Sequence, residues 1–166
     1  IRSCNRLRDD PIEPGAFDLV VVNSVAQYFP GIRYLTRVLE GAVSAAGPGG
    51  RVFVGDVRSL PLHAAYCAAV ELHRAGTETT ADQLARRARR RQLQEEELLV
   101  DAGYFLALGR QLSRVRRVRI LPKAGRYHNE LTRFRYDVVL HVDGGAPTDR
   151  RLADDAVARI DWPRAG

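Results

Sequence analysis

Cysteine is scarce in this chain, and long hydrophobic runs are absent. The two cysteines, Cys4 and Cys67, lie far apart and form no CxxC pair, which excludes a disulfide framework and a zinc-ribbon site. With no disulfide pattern to protect, a reducing cytoplasm is the simplest expected compartment. No stretch approaches the roughly 18 apolar residues that a membrane-crossing helix needs. No signal-peptide pattern precedes the first charges, and the chain opens on Ile1, so it reads as a piece of something longer. No internal repeat is visible. The net charge of +6 is carried almost wholly by arginine, but aromatic residues are not interleaved with the arginines and 20 acids accompany them. That composition reads as solvated helix faces, with neither nucleic acid nor membrane among the expected partners.

The 166 residues, 45% hydrophobic, suffice for one domain with a real core. The stretch FDLVVVNSVAQYFP, residues 17 to 30, organises the rest. Its short apolar run, Leu19 to Val22, predicts a strand buried on both faces of a parallel sheet. In such sheets ligands bind beyond the carboxyl ends of the strands, which puts Asn23 to Tyr28 at a candidate site. After Pro30-Gly31, apolar Leu35, Val38, Leu39, Ala42 and Val43 recur at helical spacing. Gly47-Pro48 is expected to end that helix, with Gly47 as a left-handed cap. A second run, Val52 to Val54, leads into Gly55-Asp56. Strand, helix and strand at this spacing predict a parallel right-handed unit, with Asp56 at the same sheet edge as Asn23.

Residues 60 to 112 read as helical throughout. Leu62, Ala65, Tyr66, Ala69 and Leu72 share one predicted face, and Thr80 is a candidate N-cap for the next helix. Arginines 86, 87, 89, 90 and 91 run into Glu95, Glu96 and Glu97, with Arg91 and Glu95 spaced for an i,i+4 pair. A helical insertion here is an expected lid, with Glu96 a candidate to face substrate and a solvent-facing helix held by small ion pairs as the plainer reading. A third helix is expected over 101 to 112. The period then changes. Val118 and Ile120 alternate with arginines as in an edge strand, and Phe134, Tyr136, Val138, Leu140 and Val142 alternate as in a strand with one buried face. The polar loop between them, with Arg126, His128, Asn129 and Glu130, is expected at the same edge as Asn23 and Asp56. Residues 143 to 166 read as a linker toward a following domain.

The segments FDLVVVNSVAQYFPG, YLTRVLEGAV, PGGRVFVGDVRSLPL, QEEELLVD and RYHNELTRFRYDVVLHV together resemble one family. It is the class I S-adenosylmethionine-dependent methyltransferase domain embedded in adenylation domains of nonribosomal peptide synthetases. The resemblance covers about residues 9 to 142 and implies the C-terminal half of a Rossmann-like α/β sheet with an antiparallel last strand. It assigns 1–142 to the methyltransferase domain and the remainder to the approach to adenylation sequence. It further implies methyl transfer from S-adenosylmethionine, most simply to the amine of an aminoacyl or peptidyl group held on a carrier domain. By the same resemblance, His128 and then Glu130 are candidates for the proton-accepting role, with Tyr28 beside them. Asn23, Ser24 and the pair Asp9-Asp10 would meet the cofactor, and Gln27, Asp56, Glu96 and Asn129 the substrate. Plainer readings stand beside these: Asn23 as a helix cap, Asp56 satisfying its own turn, Tyr28 as core packing, His128 as an ordinary loop residue.

The sequence departs from a complete methyltransferase in one respect. It contains no GxGxG, and PGGR at 48 to 51 is a turn before a strand. The expectation is that these 166 residues alone bind S-adenosylmethionine weakly, and that the strand at 18 to 22 is an exposed hydrophobic edge. The alternatives to the enzyme are a methyltransferase-like module with a structural role, and an arginine-rich nucleic-acid-binding module.

Overall fold

The computed structural model describes residues 12–123 and 129–143. Its elements in chain order are β1 (Phe17–Asn23), a 3-10 turn (Ala26–Tyr28), α1 (Ile32–Ala45), β2 (Ala46–Arg58), α2 (His63–His73), α3 (Ala81–Leu93), α4 (Ala102–Gln111), β3 (Val115–Pro122), α5 (Glu130–Arg133) and β4 (Arg135–Val142). The strands form one sheet in the order β1-β2-β4-β3. β1 and β2 are parallel, and β4 runs antiparallel to both its neighbours. β3 therefore points the same way as β1 and β2, and the carboxyl ends of all three meet at one edge. The expected parallel strand–helix–strand unit, the edge position of β3 and the reversed last strand are all present.

Helical spacing explains the core. Leu35, Leu39, Ala42 and Val43 of α1 form one stripe, and Phe105 and Leu108 of α4 another. Both pack on one sheet face, against Val52, Val54, Val57, Val138, Leu140 and Val142. β4 shows the predicted alternation without a break, with Tyr136, Val138, Leu140 and Val142 buried. Tyr136 adds an edge-on contact to Phe105 at 6.1 Å and donates its hydroxyl to the Val100 carbonyl at 2.9 Å.

Four expectations fail, each for a physical reason. β1 is not buried on both faces: Val20 and Val22 turn to the core, while Leu19 and Val21 are 55% and 56% exposed. Among the described residues, helices cover only one side of this strand, and it is the sheet's edge as expected. α1 ends at Ala45, with Ala46 extended, and the left-handed residue is Gly49 at φ +77°, not Gly47. Gly47 is needed instead for close approach, because a Cβ there would lie 2.8 Å from the Gly15 carbonyl oxygen. Residues 60 to 112 are not helical throughout. α3 stops at Leu93, and the chain beyond it is drawn out along the end of β2, where Val100 bridges Ser59 in parallel. Finally, α2 buries His63 and Cys67 rather than the predicted face, leaving Leu62 and Leu72 43% and 65% exposed. It packs against α3, so the side that faces α3 decides burial.

Candidate functional site at the carboxyl edge of the sheet

β1 and β2 end in register, Asn23 opposite Gly55, and the pairing continues one step as Ser24 N–H donates to the Gly55 carbonyl at 3.1 Å. Gly55 is required there, because a side chain would strike Asn23 Oδ1. Immediately beyond, the backbone turns left-handed at Ser24 (φ 56°) and Asp56 (φ 68°), the two non-glycine residues in that region among those described. Such conformations cost about 1–2 kcal/mol each and persist where surrounding contacts impose them. The contacts are visible. Ser24 Oγ donates to Asp56 Oδ2 at 3.0 Å, and Asn23 Nδ2 donates to Ser24 Oγ at 3.3 Å. The Asp56 backbone N–H donates to Asp137 Oδ1 at 2.8 Å.

Two cations close the cluster. Arg135 Nη1 lies 3.0 Å from Asp56 Oδ2, and Lys123 Nζ bridges Asp56 at 3.3 Å and Asp137 at 2.9 Å. Burial raises the Asp56 carboxyl, but the Ser24 hydroxyl and the charges of Arg135 and Lys123 outweigh it and leave the group below the usual carboxylate range. Burial likewise lowers Lys123, and its two carboxylate partners more than restore it. Asp56 is thus held ionised and fully engaged, as the fastener between β1, β2, β3 and β4. Gln27, only 5% exposed, donates from Nε2 to the Ser24 carbonyl at 3.1 Å, and its Oε1 has no partner among the described residues. Its own carbonyl accepts from Leu98 N–H at 2.7 Å, which ties the site's floor to the segment after α3.

A second cluster holds that segment. Arg58 donates to Glu97 Oε2 and Glu95 Oε2, both at 2.7 Å, while its guanidinium lies 5.2 Å over the Tyr66 ring. Burial raises Glu95, and the Arg58 hydrogen bond brings it net below its ordinary value. The expected Arg91–Glu95 pair is absent: Arg91 Nε binds Glu71 Oε1 at 2.7 Å, across α2 and α3. Glu96 is exposed and borders a cleft of about 530 Å³, together with Arg58, Tyr66, Arg87, Arg90 and Arg135. Burial pushes the Cys67 thiol up, so it stays protonated and a poor nucleophile.

The structure therefore brings together Asn23, Ser24, Gln27 and Asp56 of the predicted residues. Tyr28 borders them on the 3-10 turn and is 71% exposed, not core packing. Asn129 caps α5, its Oδ1 accepting from Thr132 N–H at 3.2 Å. Asp9, Asp10 and His128 lie outside the described residues, as does the side chain of Glu130. The sequence reading missed Arg58, Lys123, Arg135 and Asp137. A signal existed: Arg135 and Asp137 are two apart on a strand whose other face is apolar, an unusual place for charge unless it is used.

No protein-family model matches the chain. It is 40% identical to the chondramide synthase of Chondromyces crocatus, over 97% of this chain and 4% of that protein. It is 45% identical to the beauvericin nonribosomal cyclodepsipeptide synthetase of Beauveria bassiana, over 87% of this chain and 4% of that one. The cyclosporin synthetase of Tolypocladium inflatum is 41% identical, over 87% of this chain and 1% of that one. Its homologues are nonribosomal peptide synthetases. The chain spans between 1% and 4% of the length of these curated relatives. Among solved structures, one from Bordetella parapertussis described as a "possible exported protein" is 16% identical at a TM-score of 0.46, over 78% of this chain and 40% of that one; a likeness so distant carries no argument.

Proposed function

We propose that this chain is part of an S-adenosylmethionine-dependent methyltransferase that acts on an aminoacyl or peptidyl intermediate in nonribosomal peptide biosynthesis, with an amine as the acceptor. The observation that carries the proposal is the paired left-handed turn at Ser24 and Asp56. It stands at the carboxyl ends of adjacent parallel strands, where sheets of this kind place ligands. The reversed β4 between β2 and β3 supports the same reading. So does similarity to synthetases along nearly the whole chain.

The residues present fit the polar part of the cofactor in part. Asn23 and Ser24 are exposed at the strand end and offer amide and hydroxyl groups there. S-adenosylmethionine, when bound, supplies a methyl group on a sulfonium that is already a good leaving centre. What remains for the chain is to orient the acceptor and exclude water. Asp56, Lys123 and Arg135 fix the backbone that carries Asn23 and Ser24. Gln27 and Tyr28 border the acceptor, and Glu96 lines its approach. An ammonium acceptor must also lose a proton, the role proposed for His128 or Glu130. Asp9-Asp10 is proposed on the adenosine side and Asn129 on the substrate side.

One observation favours a second reading. The 166 residues contain no GxGxG to cradle the cofactor, as a structural module without activity would not need one. Calorimetry separates the two. The methyltransferase reading predicts micromolar binding of S-adenosylmethionine by a synthetase module that includes this segment, weakened by Asn23→Ala, and weak binding by the 166 residues alone. A module that binds none favours the structural role.

A further inference from the structure

Arg86, Arg87, Arg89 and Arg90 of α3 are all exposed. Asp82, four residues before Arg86 on the same helix, makes no ion pair with it; of the acids beyond the helix and on α2, the fold turns Glu95 and Glu97 to Arg58, and Glu71 to Arg91. None of the four has a carboxylate at ion-pair distance among the described residues. Arg86 and Arg90, Arg87 and Arg91, and Arg86 and Arg89 are helical neighbours of like charge, which destabilises a helix. The helix dipole favours Arg90 and Arg91 in the last turn, but not Arg86, Arg87 or Arg89. The face thus carries positive charge that no ion pair among the described residues neutralises.

Its position is informative. Arg87 and Arg90 line the same cleft as Arg58 and Arg135, and Arg135 touches Asp56. The cleft therefore runs from α3 to the sheet edge. We propose that the arginine face of α3 docks an acidic face of the carrier domain that presents the acceptor, seating that domain at the mouth of the cleft. The proposal rests on the reading of the acceptor as carrier-bound. A protein partner fits better than nucleic acid. No aromatic residue stands on α3 for bases to stack on. Leu93, one turn beyond Arg90 and 81% exposed, adds the apolar contact that a protein interface has at its centre.

Arg86→Glu/Arg90→Glu tests this, with Arg86→Gln/Arg90→Gln as a milder variant and circular dichroism to show that α3 is retained. Binding of the carrier domain to the 166-residue chain is measured by interferometry at low and high salt. Alongside it, the module's methylation of the carrier-bound acceptor is compared with that of a small soluble aminoacyl thioester. The expected result is about tenfold weaker carrier binding for the charge-reversed variant, with the salt dependence lost. KM should rise similarly for the carrier-bound acceptor and stay unchanged for the soluble thioester. Carrier binding equal to the unaltered chain overturns the proposal. So does a duplex probe that displaces the carrier and depends on the same arginines. Failure of the unaltered module to methylate the soluble thioester would overturn the reaction instead, while the interferometry still decides the docking.

Discussion

Asp56 is the residue on which the site's geometry turns. Its carboxylate receives Ser24, Arg135 and Lys123, and both it and Ser24 hold left-handed backbone. Asp56→Asn would remove the carboxylate charge that Arg135 and Lys123 share, a loss of about 1–3 kcal/mol in denaturant-induced unfolding. The pH dependence has a definite sign. Asp56 and Glu95 are both lowered in the folded chain, so their stabilisation is complete above the unfolded carboxylate range near pH 4 and disappears as pH falls through their lowered values. Unfolding free energy measured from pH 7 down to pH 3 should drop steeply below about pH 4, and less steeply in Asp56→Asn. Equal slopes would remove Asp56 from the account. The sequence placed Asp56 and Asn23 at one edge because strand ends can be read from where apolar runs stop. It was silent on Lys123 and Arg135, since which charges meet across 60 or more residues depends on sheet order and register.

At the level of elements, the segment after α3 is tied to the sheet by the Arg58 pairs with Glu95 and Glu97, by the Leu98–Gln27 hydrogen bond and by the Val100 bridge to the end of β2. Thr80 caps α3 in a reciprocal box with Gln83. Thr80→Ala should lower stability by about 1 kcal/mol, and hydrogen exchange should rise in the first turn of α3 while β2 and β4 stay protected. Arg58→Ala should have a wider effect, speeding exchange over 94–100, the Leu98 amide that donates to the Gln27 carbonyl included, because both glutamates lose their cation. Unchanged protection at 94–100 would show that the segment holds without the clamp. The cap was legible from Thr80-Ala-Asp-Gln83 alone. The clamp was not: helical periodicity runs on through Gln92, and only the competing pull of Arg58 and the burial of Val100 draw the chain into an extended path.

At the scale of the molecule, sequence pattern recovered the mixed sheet, its parallel pair and its reversed strand, because each strand's period shows which faces are covered. It overstated the cover on β1, where burial depends on neighbours that a period cannot count. Leu19 and Val21 make an exposed apolar edge, so the 166-residue chain should self-associate as concentration rises, and Leu19→Lys/Val21→Lys should keep it monomeric in sedimentation velocity. Methyl transfer onto a carrier-bound amine can be measured outright. A synthetase module containing this segment is given a fully loaded carrier domain and S-adenosylmethionine labelled in its methyl group, and the carrier is then examined by mass spectrometry. One labelled methyl on the acceptor amine is the expected result; a loaded acceptor that stays unlabelled rules methyl transfer out.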